Sequence, residues 1–507
     1  MTSSLHGQHI VRKAAHGILW SYASFGLGKA LVFLTTVVLA RLLTPDFFGI
    51  VALATLAVNY LGILKDFGLG AALIQRRDDV EQAANTVFTL NLLLGLGLTL
   101  LAILAAPWVA LFFSEPQVTP VLRWLSLTFT LDALSSVHTI RLQRELDFRR
   151  KLIPDLGRSI VKGVTSISLA LAGYGVWSLV IGQLVGSLST VILAWLVVPW
   201  RPRLTINHSI LKSLLSYGFS LMSLDILAVI EDNLDYLIVG CVFGNTALGI
   251  YTLAYRLPEL LGLNTLWIIA GALFPAFASV QHQPDLLRRG FLLTLRYVEM
   301  FSVPVSLGLF IAADPLVRVA FGERWSEAIP VVQVLAIFVL VTSIGFNVGD
   351  IYKAVGRPDI LMKLGLLRII MLGPALWYGA HFGLVGIAYG HLVVRTIQNV
   401  LYLWVATRFI KVSLADILQQ LKPSFLSGLA LLLLAWPSLY ATANAAPIIR
   451  LGVVMIAGAT GYLSALWLLE GKTLLQAGRT LGLPGLSQPS PPASSLALDT
   501  ASGPEVG

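Results

Sequence analysis

Apolar stretches of the length a bilayer demands recur along almost the whole chain, with short polar loops between them. They lie near 17–40, 47–73, 84–113, 118–140, 152–173, 175–198, 212–240, 246–274, 287–312, 328–352, 359–380, 383–406, 423–441 and 447–469. A helix needs roughly 20 apolar residues to cross the hydrocarbon core. Helices also satisfy their own backbone hydrogen bonds, which lipid cannot do for them. Composition points the same way. Only 12% of the 507 residues are charged, 56% are hydrophobic, and the mean hydropathy is +0.81. Soluble domains carry about 25% charged residues. The pattern therefore predicts an all-α polytopic membrane protein with 14 transmembrane helices.

Loop charges test that count, because cytoplasmic loops are enriched in Lys and Arg. Alternate loops, with adjoining span edges, hold Arg12 and Lys13; Arg76 and Arg77; Arg141, Arg144, Arg149, Arg150 and Lys151; then Arg201, Arg203 and Lys212. The series continues with Arg288 and Arg289; Lys353, Arg357 and Lys363; Arg408, Lys411 and Lys422; Lys472 and Arg479. The loops between hold only Arg41, Arg318 and Arg324, with Arg123 and Arg450 at span edges. A miscounted span would scramble this alternation, so both termini are expected in the cytoplasm.

The formal net charge of +9 is then read as a topology signal together with an anionic cargo. No basic run alternates with exposed aromatics, so nucleic acid is not an expected partner. The single Cys241 excludes an intramolecular disulfide, and no Cys/His spacing suits a metal. No Walker-type nucleotide loop is present, and no cofactor is expected. The polar N-terminus runs into the first span without a small-residue cleavage site, so no removable signal peptide is expected. From about residue 471 the chain ends in a Pro-, Ser- and Gly-rich segment, expected to be a disordered cytoplasmic tail.

Two internal alignments organise the spans. GIVALATLAVNYLG (Gly49 to Gly62) matches GIYTLAYRLPELLG (Gly249 to Gly262) at an offset of 200 residues. YGVWSLVIGQLV from Tyr174 matches FGLVGIAYGHLV from Phe382 at an offset of 208. Spans 1–2 thus correspond to 7–8, and spans 5–6 to 11–12. The expected organisation is a six-helix lobe over 1–200, a second over 201–410, two additional helices over 411–470 and the tail over 471–507. Six is even, so the lobes form a parallel pseudo-repeat, a design that places a substrate site between lobes near the bilayer midplane.

LARLLTPDFFGIVALA and LKDFGLGAALIQRRD resemble the opening of bacterial polysaccharide transporters of the Wzx type. So do LQRELDFRRKLIPDLGRSIVKG in the fourth and fifth spans, and NLDYLIVGCVFGNTALGIYTLAYRLPELL in the seventh and eighth. The similarity covers roughly Ala14 to Glu470. It implies membership of the multidrug/oligosaccharidyl-lipid/polysaccharide flippase superfamily, with twelve core helices in two lobes. It further implies a non-enzymatic function in the bacterial inner membrane: flipping a polyprenyl-pyrophosphate-linked oligosaccharide for surface polysaccharide biosynthesis. Membrane lipids and other polysaccharide assembly proteins are the remaining implied partners. No catalytic residue is carried over.

Ionisable groups within spans cost about 2.5–3.5 kcal/mol each at a helix centre and therefore mark paired or polar-lined positions. Arg158 and Lys162 are one turn apart on one face, where like charges repel. An anion such as pyrophosphate would relieve that repulsion; snorkelling toward the cytoplasmic edge, with Asp155 neutralising Arg158, is the alternative. Lys29, Arg368 and Arg395 lie near mid-span and are expected to face a polar cavity and bind substrate with them. Arg256 with Glu259, and Arg296 with Glu299, have the i,i+3 spacing of structural ion pairs. Asp225, Glu231, Asp232 and Asp235 crowd the seventh span. Asp225, Asp232 and, in the other lobe, the lone Asp132 are candidates for coupling to a cation; pairing with Arg256 and exposure of Asp235 at the periplasmic mouth form the alternative. A multidrug antiporter of the same superfamily is the second functional reading, and favours an acidic cavity. A membrane glycosyltransferase or polymerase is the third, and needs a larger extramembrane loop than the chain offers.

Overall fold

The structure, a computed structural model, describes residues 26–66 and 68–480, with side chains at all of these except 66, 214–225, 267–268, 271–272 and 472–480. Every regular element among the described residues is helical. The first, α1 (26–42), leads into α2 (Pro45–Asp66), α3 (Leu69–Gln75), α4 (Val80–Phe112), α5 (Val118–Leu125), α6 (Leu127–Arg144), α7 (Phe148–Leu171) and α8 (Val176–Val197). The chain continues through α9 (His208–Pro258), α10 (Asn264–Ser279), α11 (Pro284–Ala320), α12 (Ala328–Ile344) and α13 (Val348–Ala354). It ends in α14 (Pro358–Ala380), α15 (Gly383–Ile410), α16 (Leu414–Ala441) and α17 (Pro447–Thr480). Nine helical stretches among the described residues are long and apolar enough to cross a membrane. Large side chains such as Leu196, Ile456 and Leu468 stand exposed on them, as a lipid solvent allows.

Several apolar stretches are broken where the sequence supplies the means. Gly68 adopts φ 63° and separates α2 from α3. Gly244, at φ 80°, turns α9 back on itself and divides it into two arms. Pro258 has no N–H to donate, and the next turn, Glu259–Leu263, widens to a π-helix before α10. Between α12 and α13, Asn399 of α15 donates to the Val341 carbonyl, and Gly345 lies directly against the same side chain. Two boundaries differ from expectation. Pro423, expected at a span edge, lies inside α16. Residues 471–480, expected to be tail, continue α17. That segment, GKTLLQAGRT, has no proline and is rich in good helix formers; the proline-rich stretch starts only at Pro484. Residues 17–25 of the first expected span, and 481–507 of the tail, lie outside the described residues.

Neighbouring helices pack as hairpins, α7 on α8, α11 on α12, α14 on α15 and α16 on α17, and α16 docks on α11. The closest union of the two halves is α2 against α9. It is centred on a reciprocal contact. A Cβ on Gly49 would lie 1.7 Å from the Asn245 carbonyl oxygen, and one on Gly249 would lie 2.1 Å from that of Pro45. Each glycine thus presses on the residue four positions before the other, so the contact maps onto itself under exchange of the halves. The Thr246 hydroxyl donates to Asp46 at the same place. Around it, buried Trp325 donates from Nε1 to the Ala40 carbonyl at 2.9 Å and stacks edge-on against Phe48, and Arg41 donates to the carbonyls of Val319 and Ala320. This end of the molecule is sealed by backbone-to-backbone packing that only glycine permits.

Candidate functional site

The site begins with how closely α7 lies on α8. A Cβ on Gly182 would meet Ser166 Oγ at 1.8 Å, and one on Gly186 would meet the Lys162 Cβ at 2.8 Å. Small residues on α8 let the α7 backbone approach, which lays Arg158 and Lys162 across polar groups of α8. Arg158 donates to Ser187 Oγ at 3.2 Å, and Lys162 Nζ lies 2.6 Å from Gln183 Oε1.

From there a row of charges runs through both halves. Arg158 Nη1 lies 3.8 Å from Asp132 Oδ1 on α6, whose other oxygen receives Lys65 of α2 at 2.9 Å. On the opposite side, Lys29 of α1 stands 3.7 Å from Glu259 Oε1, and Arg256 stands 3.1 Å from Oε2. The π-turn after Pro258 carries Glu259. Arg256 acts electrostatically on Lys162, joining the two ends. The row holds five cations and two carboxylates, an excess of three positive charges among these residues. Lys29, Lys65, Asp132, Arg158 and Glu259 keep between 25% and 36% of their side chains accessible, so they line accessible space rather than a packed core.

A second polar group lies inside the other half, between α9, α12, α14 and α15. Arg368 is 5% exposed and pairs with Glu231. Asp235 is 1% exposed; it accepts from the Tyr251 hydroxyl at 2.9 Å and from the Tyr236 N–H at 2.9 Å. His391 Nδ1 lies 3.7 Å from Oδ2, the oxygen that accepts from Tyr251, and stacks on Phe338 at 5.0 Å. Arg395 donates to Gln398 at 3.0 Å and sits over the same Phe338 ring, within electrostatic reach of Asp232.

The sequence-based candidates therefore separate into groups. Lys29, Arg158 and Lys162 come together, with Lys65 and Arg256 added. Arg368 departs from its expected place: it is buried against Glu231, because α14 packs on α9. Arg395 lies beside it. Asp132 is not a lone carboxylate but the counter-charge bridging Lys65 and Arg158. Within the seventh span the exposures are reversed, with Asp232 exposed and Asp235 sealed; the side chain of Asp225 lies outside the described ones. Arg256 meets Glu259, its neighbour on the same face. Arg296, by contrast, reaches across to Glu470 of α17 rather than to Glu299. A partner on another helix intervenes, and Glu299 is left buried. Tyr251 and His391 were missed, since nothing local marks either of them; only packing brings them to Asp235. Asp155, the expected neutraliser of Arg158, pairs instead with Lys151 at 3.2 Å.

Comparison with known proteins bears on this arrangement. A family model described as "polysaccharide biosynthesis protein" matches residues 38–330, more than half of the chain. This chain belongs to that family. The family member is 26% identical to the teichuronic acid biosynthesis protein TuaB of Bacillus subtilis, covering 79% of this chain and 84% of TuaB. It is 27% identical to the succinoglycan biosynthesis transport protein ExoT of Rhizobium meliloti, over 84% and 85% of the two chains. Identity to the lipopolysaccharide biosynthesis protein WzxC of Escherichia coli is also 27%, over 77% and 80%. Among solved structures, the lipid II flippase MurJ in an inward closed conformation superposes with a TM-score of 0.73 at 15% identity, covering 90% of this chain and all of MurJ. An inward-facing MATE-family multidrug transporter gives 0.58 at 19% identity, over 78% and 94%. At these identities the likeness concerns fold alone. The family member is a multi-pass all-α membrane protein with a MurJ- and MATE-like fold.

Proposed function

We propose that this protein is a flippase that carries a polyprenyl-pyrophosphate-linked oligosaccharide across the bacterial inner membrane for surface polysaccharide biosynthesis. The observation that carries the reading is the charged row of Lys29, Lys65, Arg158, Lys162 and Arg256, in which Asp132 and Glu259 are the paired carboxylates among the described side chains. A pyrophosphate entering there would meet preset Arg and Lys donors and an excess of positive charge. The polyprenyl tail would stay in lipid. The names of TuaB, ExoT and WzxC, tied to the biosynthesis of teichuronic acid, succinoglycan and lipopolysaccharide, support the class of cargo. The net positive lining disfavours the multidrug reading, which needs attraction for cationic drugs.

In this reading fourteen spans leave both ends in the cytoplasm, as the loop charges require. The lobes are 1–200 and 201–410, and the reciprocal Gly49–Gly249 contact is where their pseudo-two-fold axis would pass. The sealed end then faces the periplasm, and the charged row is reached from the cytoplasm. Rocking of one lobe against the other would open the seal and close the cytoplasmic side. Coupling to H⁺ or Na⁺ is assigned to the seventh span, with Asp232 at the accessible end and Asp235 behind it against Tyr251 and His391.

The test is flipping of a lipid-linked oligosaccharide by the purified protein in proteoliposomes, with and without imposed pH and Na⁺ gradients. Dissipating every gradient is expected to slow the wild type, and Asp235→Asn is expected to make the rate indifferent to gradients. Absence of flipping under all conditions overturns the proposed cargo. A wild-type rate that ignores every gradient removes the coupling role alone.

A further inference from the structure

The seam that attaches α16 and α17 to α11 holds an unusual set of polar groups. Glu299 of α11 is fully buried; neither carboxylate oxygen accepts a well-formed hydrogen bond among the described residues, and the Ser343 hydroxyl of α12, which donates to the Leu340 carbonyl, comes within reach of it. Its nearest basic residue on the same face, Arg296, is bound to Glu470. Ser302 and Ser306 follow Glu299 at three and seven residues and so share its face of α11. Ser424 and Ser427 lie on the facing stretch of α16, where a Cβ on Gly428 would meet Val303 and Leu307 of α11 at 2.7 Å. Tyr462 of α17 closes the group: it donates to the Met300 carbonyl at 2.9 Å and lies within electrostatic reach of Glu299.

The four serines are as notable as the acid. A serine inside a helix normally donates its hydroxyl to the carbonyl three or four residues back. Ser343 and Ser438 of this protein do so, at 2.7 Å each. Ser302, Ser306, Ser424 and Ser427 do not, although each is at most 2% exposed; of the four, Ser424 comes within hydrogen-bonding reach of the Tyr462 hydroxyl. Among the described residues only Ser166 shares that property, elsewhere in the molecule. Buried hydroxyls and a buried carboxylate without partners carry a desolvation cost that a compact fold normally avoids.

We propose that this seam is a binding site for a monovalent hard cation, Na⁺, with Glu299 as the charged ligand and the hydroxyls of Ser302, Ser343, Ser424 and Ser427 as neutral oxygen ligands. One carboxylate among neutral oxygens balances one positive charge. Divalent ions recruit more carboxylates, and softer metals recruit nitrogen or sulfur; no His or Cys joins this set. The ion bridges α11 and α16 and ties the last two helices to the rest of the bundle. The site is separate from Asp235, and it stands whether or not the protein flips a lipid-linked sugar.

Thermal unfolding of the detergent-solubilised full chain, titrated with NaCl against choline chloride at constant ionic strength, tests this. Sodium at about 100 mM is expected to raise the wild-type midpoint by about 2 °C or more. Glu299→Gln, a near-isosteric neutral change, is expected to lose that increment, and Ser427→Ala to shift the titration to higher sodium. Asp359→Asn, at an exposed carboxylate outside both sites, is expected to keep it. A wild type indifferent to sodium overturns the proposal, as does a full sodium response in Glu299→Gln. Loss of the response in Asp235→Asn but not in Glu299→Gln moves the ion to the seventh span and likewise overturns it.

Discussion

Replacing Arg158 and Lys162 together by Gln is expected to lower flipping at limiting substrate by about a hundredfold or more, while leaving expression near normal. A hydrogen bond to a charged group contributes about 1.5–3 kcal/mol, and two are removed where both meet one pyrophosphate. The fold should tolerate the change, because each Gln can still bond Ser187 or Gln183, and Asp132 keeps Lys65. Arg368→Gln is the contrasting case. It leaves Glu231, which is 21% exposed, without its partner; breaking a fully buried pair costs about 3–5 kcal/mol, and less where one member keeps access to solvent. Its expected signature is a lower yield and thermal midpoint, with surviving protein flipping normally. Wild-type flipping in the double variant would remove the charged row from the mechanism.

Gly49→Val is expected to hold the sealed end open. Its side chain would have to occupy space 1.7 Å from the Asn245 carbonyl, and backbone cannot yield as a flexible side chain can. Overpacking costs about 1–3 kcal/mol, so the equilibrium between sealed and open states shifts about tenfold or more toward open. The readout is maleimide labelling of Thr246→Cys from the extracytoplasmic side, in a Cys241→Ala background because Cys241 is itself exposed. Labelling should accelerate about tenfold when Gly49→Val is added. The complement is a Cys pair at Asp46 and Thr246, whose side chains already touch. Its oxidation should arrest flipping, and reduction should restore it. Equal labelling with and without Gly49→Val, together with transport through an oxidised pair, would leave the contact as mere packing.

Both experiments rest on contacts of different legibility. The Gly49/Gly249 repeat is visible as a sequence alignment, but that the two glycines press on each other's turns is not. The i,i+3 rule places Glu259 beside Arg256, yet it fails for Arg296 and Glu299. In the first case no competing carboxylate among the described residues pairs with Arg256; in the second, α17 brings Glu470 to Arg296. Local spacing lists which partners a side chain can reach on its own helix, and tertiary packing decides which of them it takes.

Membrane residence, helical class and the alternation of basic loops were determined by the sequence alone. Each depends on the hydropathy or charge of one segment at a time, and no distant residue can alter the cost of placing that segment in lipid. Tertiary structure alone decided which intramembrane charges form the accessible row and which are neutralised in the interior. Lys29 and Glu259, Lys65 and Asp132, and Arg368 and Glu231 are remote in sequence, and a charge at membrane depth is defined by its partner. The π-turn after Pro258, the glycine face of α8 and the break at Gly244 set those partners. Their effect is geometric, so hydropathy carries no trace of it.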